Sequence, residues 1–270
     1  MNRRLFVSAL SVSALSALAL AGCGKSRTAG DPDTLTIAAT AVPHAEILEF
    51  VKPALAKQGV KLEVRVFNDY VQPNTQVAEG RIAVNYFQTE PYLAEFNKAH
   101  GTRLVTIAGI HVEPFGAYSR RWKALGQLPD GAVVAIPNEP SNSGRALLLL
   151  AKAGLIALRD PKCVSATPKD IVTNPRHLKF RELEAATLPR VLDQVDLALI
   201  NTNYALDAGL DPARDALTIE GKDSPYVNFI VGPESARKDP KVQKLVAALR
   251  TPAVKAFIER KYAGAVIPAF

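Results

Sequence analysis

The stretch Ala132–Leu150, AVVAIPNEPSNSGRALLLL, decides the fold. Its apolar run Ala132 to Ile136 predicts a buried strand, and Pro137 to Pro140 interrupts it. Ser141 or Asn142 is placed to cap a helix that Ala146 to Leu150 continues. The joint is a strand, a tight turn and a helix start, with Arg145 read into the first helical turn. Unpaired backbone N–H groups already make that end of a helix positive by about half a charge. A cation there calls for an anion, and a guanidinium fork together with free amides suits one carboxylate. The turn is read as the anion half of a small-molecule site, against the alternative of a surface arginine whose stem packs on the helix.

The chain before this joint opens as strand, helix, strand. Leu35 to Ala39 reads as a buried strand. Ala45 to Lys57 has helical spacing, with Ile47, Leu48, Val51 and Leu55 on one face and Gly59 just past its end. Leu62, Val64 and Val66 alternate with charged residues, the period of a strand. This order implies a right-handed crossover and a parallel sheet. Asp69 to Asn74 is the loop after the second strand, and open α/β sheets bind ligands at such carboxyl ends. Val77 to Gly80 ends a short helix, Ile82 to Asn85 is a strand, and Tyr86, Phe87 and Gln88 follow it directly. After the joint, the apolar strand Leu197 to Ile200 carries Asn201-Thr202-Asn203-Tyr204 at its end, Tyr226 to Val231 reads as a strand, and Val242–Leu249 and Val254–Tyr262 as amphipathic helices. Each of Tyr70, Tyr86 and Phe87 alone reads as core packing. Rings beside amides that need partners when buried point instead to a binding site.

The ends and the composition narrow the class. Of the 270 residues, 48% are hydrophobic and 22% charged, which fits a soluble globular chain of two lobes and excludes a disordered or fibrous one. Arg3 and Arg4 precede an apolar run from Leu5 to Ala21, too short with its small-residue end for an easy membrane span, so it reads as a secretory signal. The tetrad Leu20-Ala21-Gly22-Cys23 resembles the bacterial lipobox, which implies cleavage before Cys23 and lipidation of that cysteine, palmitate included. With only 2 cysteines, Cys163 then has no intramolecular partner and no cysteine metal cluster is expected. Gly24 to Asp33 is small and polar, suited to a tether. Losing Arg3 and Arg4 lowers the formal charge of +7 by two, to +5; that excess is scattered, without a basic block, and nucleic-acid binding is not expected.

No nucleophile elbow, zinc-helix motif or phosphate-binding loop is present, and His44, His100, His111 and His177 are spread singly, each read as a surface or packing residue. Chemistry is the weaker reading and binding the stronger, with no catalytic residue, no metal and no cofactor. Arg, Asn, Gln, Tyr and Phe at strand ends suit a zwitterion: Arg for its carboxylate, amide oxygens and hydroxyls for its ammonium, rings for an apolar side chain.

Taken together, DYVQPN (69–74), NYFQ (85–88), HVEP (111–114), LPDGA (128–132), IPNEPSNSGRALLLL, KAGLI (152–156), LPR (188–190), INTNYAL (200–206), SPYVN (224–228) and GAVIP (264–268) resemble the NlpA/MetQ family of methionine-binding lipoproteins of bacterial ABC importers. The resemblance runs through nearly the whole chain after Cys23 in family order. It implies an α/β, two-lobed periplasmic-binding-protein fold of type II-like form, each lobe a mainly parallel sheet flanked by helices, with the ligand cleft between. It implies L-methionine or a close analogue as ligand, delivered to a membrane permease with a separate ATPase, by a monomer outside the cytoplasm, held to the membrane by lipid on Cys23. Residue by residue, Arg145 with Asn142 would hold the carboxylate, Asn201 and Asn228 the amino group, and Tyr70, Tyr86 and Phe87 the thioether beside Gln88. One position departs: the family reads NYFQH, and here the fifth residue is Thr89. Another small amino acid, a dipeptide or a methionine derivative therefore stays open as ligand, as does a surface lipoprotein with a structural or adhesive role. Lobe one is expected at residues 34–114 and 226–270 and lobe two at 115–225, after a signal at 1–22 and a tether at 23–33.

Overall fold

The computed structural model describes residues 31–221 and 224–270; the apolar leader, Cys23 and the tether up to residue 30 lie outside the described residues. The first half runs β1 (Thr34–Ala39), α1 (Glu46–Ala56), β2 (Lys61–Val66), α2 (Gln72–Ala78), β3 (Val84–Thr89), α3 (Glu90–His100) and β4 (Val105–Val112). Then come β5 (Gly116–Tyr118), β6 (Val133–Pro137), α4 (Pro140–Lys152), β7 (Ala157–Leu158), β8 (Ile171–Thr173), β9 (Lys179–Leu183) and β10 (Leu197–Ile200). The chain ends with α5 (Thr202–Asp207), α6 (Pro212–Asp215), β11 (Ala216–Ile219), β12 (Val227–Gly232), α7 (Pro240–Leu249), α8 (Pro252–Tyr262) and β13 (Ile267–Pro268).

Two larger sheets lie within one compact unit, Asp33–Phe270. In the first, in the order β13-β4-β12-β3-β1-β2, β1 is parallel to β2 and β3, as the opening strand-helix-strand pattern requires. Here β12 pairs antiparallel with both β3 and β4, and β13 with β4. In the second, in the order β11-β5-β10-β6-β9, β6 is parallel to β10 and β9, while β5 is antiparallel to β10 and β11. Each sheet is thus mixed, with most strands running one way: β1, β2, β3 and β4 in the first, and β6, β9, β10 and β11 in the second. Apart from β13, the strands with only antiparallel partners flank the two crossings: β4 passes through 113–115 into β5, and β11 through 220–226 into β12.

The apolar periods explain the layers. Leu35, Ile37 and Ala39 of β1 share a core with Ile47, Leu48 and Leu55 of α1, Leu245 of α7 and Ile258 of α8. Ala38 points the other way, to Val77 and Leu93 beside α2 and α3. A strand buried on both faces reads as a continuous apolar run, which is why LTIAA shows no alternation. In the second sheet Val134 and Ile136 pack on Leu147 and Leu150 of α4. Gly144 lets α4 approach the 163–166 loop, since a Cβ there would lie 2.2 Å from the Val164 carbonyl oxygen. Cys163 in that loop is a half-buried free thiol packed on the same core.

The deciding joint forms as expected, with one shift. Helix α4 begins at Pro140 and its N-cap is Glu139, which makes no side-chain cap bond. Proline at the first helical position is favoured because its missing N–H is not needed there. Ser141 and Asn142 are therefore inside the first turn, not caps, and Arg145 lies beyond it, where the helix dipole acts weakly.

Candidate functional site

A cavity is lined by Tyr70, Phe87, Gln88, Thr89, Tyr92 and Glu113 on one side, and by Asn142, Arg145 and Asn201 to Asn203 on the other, with Asn228. Of the eight residues singled out from sequence, seven meet here; Tyr86 does not. Its ring belongs to the first sheet's core and its hydroxyl bonds His111 Nδ1.

A bulge accounts for three successive residues of β3 reaching one cavity. Gln88 pairs with Phe229 and Tyr86 with Ile230, so Phe87 has no partner across the ladder. The extra residue re-aims the strand. Phe87, Gln88 and Thr89 thereby all reach the cavity, while Tyr86, opposite Phe87 by ordinary alternation, lies in the core. Gln88 is fixed by an amide cluster: its Nε2 donates to Asn74 Oδ1 at 2.6 Å and Asn85 Oδ1 at 2.8 Å, and Asn74 returns a bond to its Oε1 at 2.9 Å.

The apolar wall is aromatic. Tyr70 lies 5.8 Å from Phe87, 5.6 Å from Tyr92 and 4.9 Å from Tyr204, centroid to centroid, at tilted or edge angles. Its hydroxyl donates to Asn203 Oδ1 at 2.6 Å, and Tyr92 donates to the Tyr70 carbonyl at 2.9 Å. Burial pushes the Tyr70 phenol well above its ordinary pKa, so it is a neutral donor.

Arg145 is 4% exposed and already has an anion. Its Nε donates to Glu220 Oε1 at 2.7 Å, and Nη2 donates to Glu220 Oε2 at 2.5 Å and to the Glu113 carbonyl at 2.7 Å. The guanidinium sits 4.1 Å from the Tyr226 ring centroid and 5.2 Å from that of Phe115. Glu220 also accepts from the Phe115 N–H and Ser224 hydroxyl. The anion inferred from the helix end is thus a protein carboxylate, and what Arg145 has left for the cavity is Nη1.

The amides divide by what they have spare. Asn142 accepts from Asn201 Nδ2 at 3.1 Å and bonds Glu139. Asn201 Oδ1 is buried with no partner. Such an atom is an acceptor waiting for a donor. Asn228 Oδ1 accepts from His44 Nε2 at 3.1 Å, so Asn228 has its Nδ2 donor to offer.

Glu113, passed over in the sequence, is the buried carboxylate of the cavity. His111 Nε2 meets its Oε1 at 2.7 Å and His44 Nε2 the same oxygen at 3.2 Å. Burial raises the Glu113 pKa against the pull of His44, Arg145 and the Asn203 backbone N–H. Burial also holds His44 down to about 4 and His111 to about 3, so both are neutral near pH 7. His44, His111 and Glu113 have metal-ligand chemistry. Ligands about 2.0–2.1 Å from one tetrahedral ion lie roughly 3.3 Å apart, so the 2.7 Å His111–Glu113 contact is a hydrogen bond.

A mixed α/β fold of two sheets joined by paired crossings, with a polar-headed, ring-walled cavity between elements of both, defines a substrate-binding protein. The chain belongs to the NlpA lipoprotein family, whose model matches residues 35–270. It is 42% identical over 256 residues to the D-methionine-binding lipoprotein MetQ of Salmonella typhi, covering 94% of each chain. A nutrient binding protein from Burkholderia cenocepacia, solved bound to methionine, is 42% identical with a TM-score of 0.84, covering 87% of this chain and 100% of that one. An ABC transporter periplasmic substrate-binding protein from Coxiella burnetii is 44% identical with a TM-score of 0.83 over 87% of this chain and 100% of that one. Among the described residues, no helix is long and apolar enough to cross a membrane.

Proposed function

We propose that this protein binds L-methionine, or a close analogue, in the cavity and delivers it to an ABC permease served by a separate ATPase. The observation that carries this reading is the convergence on one cavity of a guanidinium, an unpartnered buried amide oxygen, a carboxylate and an aromatic wall. Arg145 Nη1 and Asn228 Nδ2 donate to the ligand carboxylate. Asn201 Oδ1 and Glu113 accept from its ammonium, so Glu113 takes the part first given to Asn228. Tyr70, Phe87 and Tyr92 enclose the side chain; sulfur at ring edges is favourable by about 0.3–1.5 kcal/mol, and burial of the side chain by about 1.5–3 kcal/mol. Residues 34–114 with 226–270, and 115–225, act as two lobes that close on the ligand, with 113–115, and 220–221 with 224–226, as hinge. The protein works as a monomer tethered outside the cytoplasm by lipid on Cys23.

Thr89 in the cavity wall favours a second reading, a different small amino acid or derivative, because the family histidine is absent there. Calorimetry of the purified domain against both methionine enantiomers, other amino acids and Gly-Met decides between them. Tightest, one-to-one binding of a methionine supports the proposal; binding of none, or tighter binding of another compound, overturns it.

A further inference from the structure

His44 precedes α1, His111 lies on β4, and both are buried beside the cavity. Each has one ring nitrogen held by a hydroxyl: Thr40 Oγ1 meets His44 Nδ1 at 2.7 Å, and the Tyr86 hydroxyl meets His111 Nδ1. With those hydroxyls donating, both neutral rings carry their proton on Nε2. Both Nε2 atoms then converge on one atom, Oε1 of Glu113. His44 divides its bond between Glu113 and Asn228 Oδ1, so one imidazole touches an expected ammonium acceptor and the amide expected to face the carboxylate. The rings also support each other, His44 lying 4.7 Å from Tyr86 and 5.0 Å from His111.

We propose that His44 and His111 are positioning residues for ligand selection: oriented by Thr40 and Tyr86, they fix Glu113 as an acceptor aimed at the ligand's ammonium. This rests on reading the cavity as an amino-acid site. The physical reason is the cost of a buried carboxylate. Alone in a low-dielectric pocket, Glu113 would take up a proton and become a donor, and would repel an ammonium instead of accepting from it. Two neutral N–H donors on one oxygen stabilise the anion without adding a positive charge that would compete with the ligand's own. A lysine or arginine in their place would satisfy Glu113 and leave the ammonium nothing to neutralise.

Other titratable groups around Glu113 are consistent with this division. Its charge acts on Tyr86 of β3, Tyr70 in the loop before α2 and Tyr262 of α8; burial raises the pKa of each phenol, Glu46 raises that of Tyr262 further, and the Glu113 charge adds to the rise. Among the described residues, Arg145 on α4 is the one permanent cation acting on Glu113, beside the titratable His44, and it is bound to Glu220. The ligand's ammonium is therefore the charge that completes the group.

The test uses the full folded domain, with His44→Leu and His111→Leu removing a donor and His44→Gln and His111→Gln replacing it by an amide N–H. Affinity is measured by calorimetry for L-methionine and for 4-(methylthio)butanoate, which lacks only the amino group. The wild type prefers methionine, and in His111→Leu that preference falls by about tenfold or more while the affinity for the deaminated compound changes by less than about threefold; His44→Leu lowers the preference too but also weakens the deaminated compound, through Asn228. The pH below which methionine binding weakens, set by Glu113 protonation, moves upward in the leucine variants and returns toward wild type in the glutamine variants. Equal loss for both compounds, an unchanged preference, or an unmoved pH profile overturns the proposal. If the leucine variants do not fold, the glutamine variants decide it: each keeps the wild-type preference within about threefold, and a collapse in preference with folding intact overturns the role. A wild-type protein that binds no methionine refutes the functional reading itself; one that binds it while the variants keep its preference refutes this inference alone.

Discussion

Replacing Arg145 with methionine removes a guanidinium that holds two things at once, and the structure allows the two losses to be separated. Within the protein, Arg145 makes two bonds to Glu220 and one to the Glu113 carbonyl, and its side chain is 5% exposed against 13% for Glu220. Removing one partner of a fully buried pair costs about 3–5 kcal/mol, because the other charge is left without compensation. Glu220 keeps the Phe115 N–H and the Ser224 hydroxyl, so the lower end, about 3 kcal/mol, is expected from chemical unfolding. On the ligand side, loss of one charge-assisted hydrogen bond is worth about 1.5–3 kcal/mol, or roughly 10- to 150-fold in Kd. The double variant Arg145→Met/Glu220→Gln removes the stranded charge. It regains most of the lost stability while methionine affinity, read by calorimetry, stays down by at least about tenfold. A double variant that binds methionine within about threefold of wild type would show that Arg145 only braces Glu220, and the carboxylate role assigned to it would be wrong.

Further outcomes follow from single groups. Asn201→Ala removes the unpartnered buried oxygen and the donor to Asn142, lowering methionine affinity by about tenfold with a stability loss of about 1–3 kcal/mol; unchanged affinity refutes its ligand role. Gly144→Ala forces a Cβ against the Val164 carbonyl, an overpacking expected to cost about 1–3 kcal/mol, or roughly 2–12 °C in Tm; scanning calorimetry within 1 °C of wild type, taken as about the resolution of the shift, speaks against that contact. Acidification should destabilise the domain through His44 and His111. Their folded pKa values, about 4 and about 3, lie below the unfolded value near 6.5, so the unfolded chain takes protons first and stability falls as pH drops from about 6.5 toward 4. Each contributes up to about 1.4 kcal/mol per pH unit, and the raised Glu113 pKa offsets part of this by favouring the folded state on protonation. Urea melts of His44→Gln between pH 4.5 and 7 should show a slope shallower by close to one proton; an unchanged slope refutes the assignment.

How much of this was legible in the chain depends on the distance over which each feature is decided. The strand-to-helix joint at 132–150 and the opening strand-helix-strand pattern are local, and both formed within a few residues of their expected bounds. The start of α4 was missed because Ser141 and Asn142 are good caps in isolation, while Pro140 prefers the first helical position. Tyr86 was misassigned because adjacent strand residues face opposite sides, and which side holds the cavity is decided only by what packs there. Glu113 escaped notice for a similar reason: a lone glutamate reads as surface until His44, on a separate element, closes over it. Its signal lay in the sequence as HVEP, two residues after a histidine of alternating strand period, but the period says only that the two share a face.

The same long-range pairing explains why one cation sits where it does. Arg145 touches the first crossing through the Glu113 carbonyl and the Phe115 ring, and the second through Glu220 and the Tyr226 ring. Movement between the sheets would have to be absorbed in those two short segments, since the chain passes between the sheets nowhere else among the described residues. A ligand carboxylate drawing on Nη1 therefore binds the group that ties the crossings together, and it does so through a planar, delocalised cation whose other two nitrogens are already fixed. Geometry at the cavity and geometry at the crossings are then one constraint. That is why an arginine beyond the first turn of α4 serves here better than a lysine, whose single ammonium would reach Glu220 or the ligand, but not both.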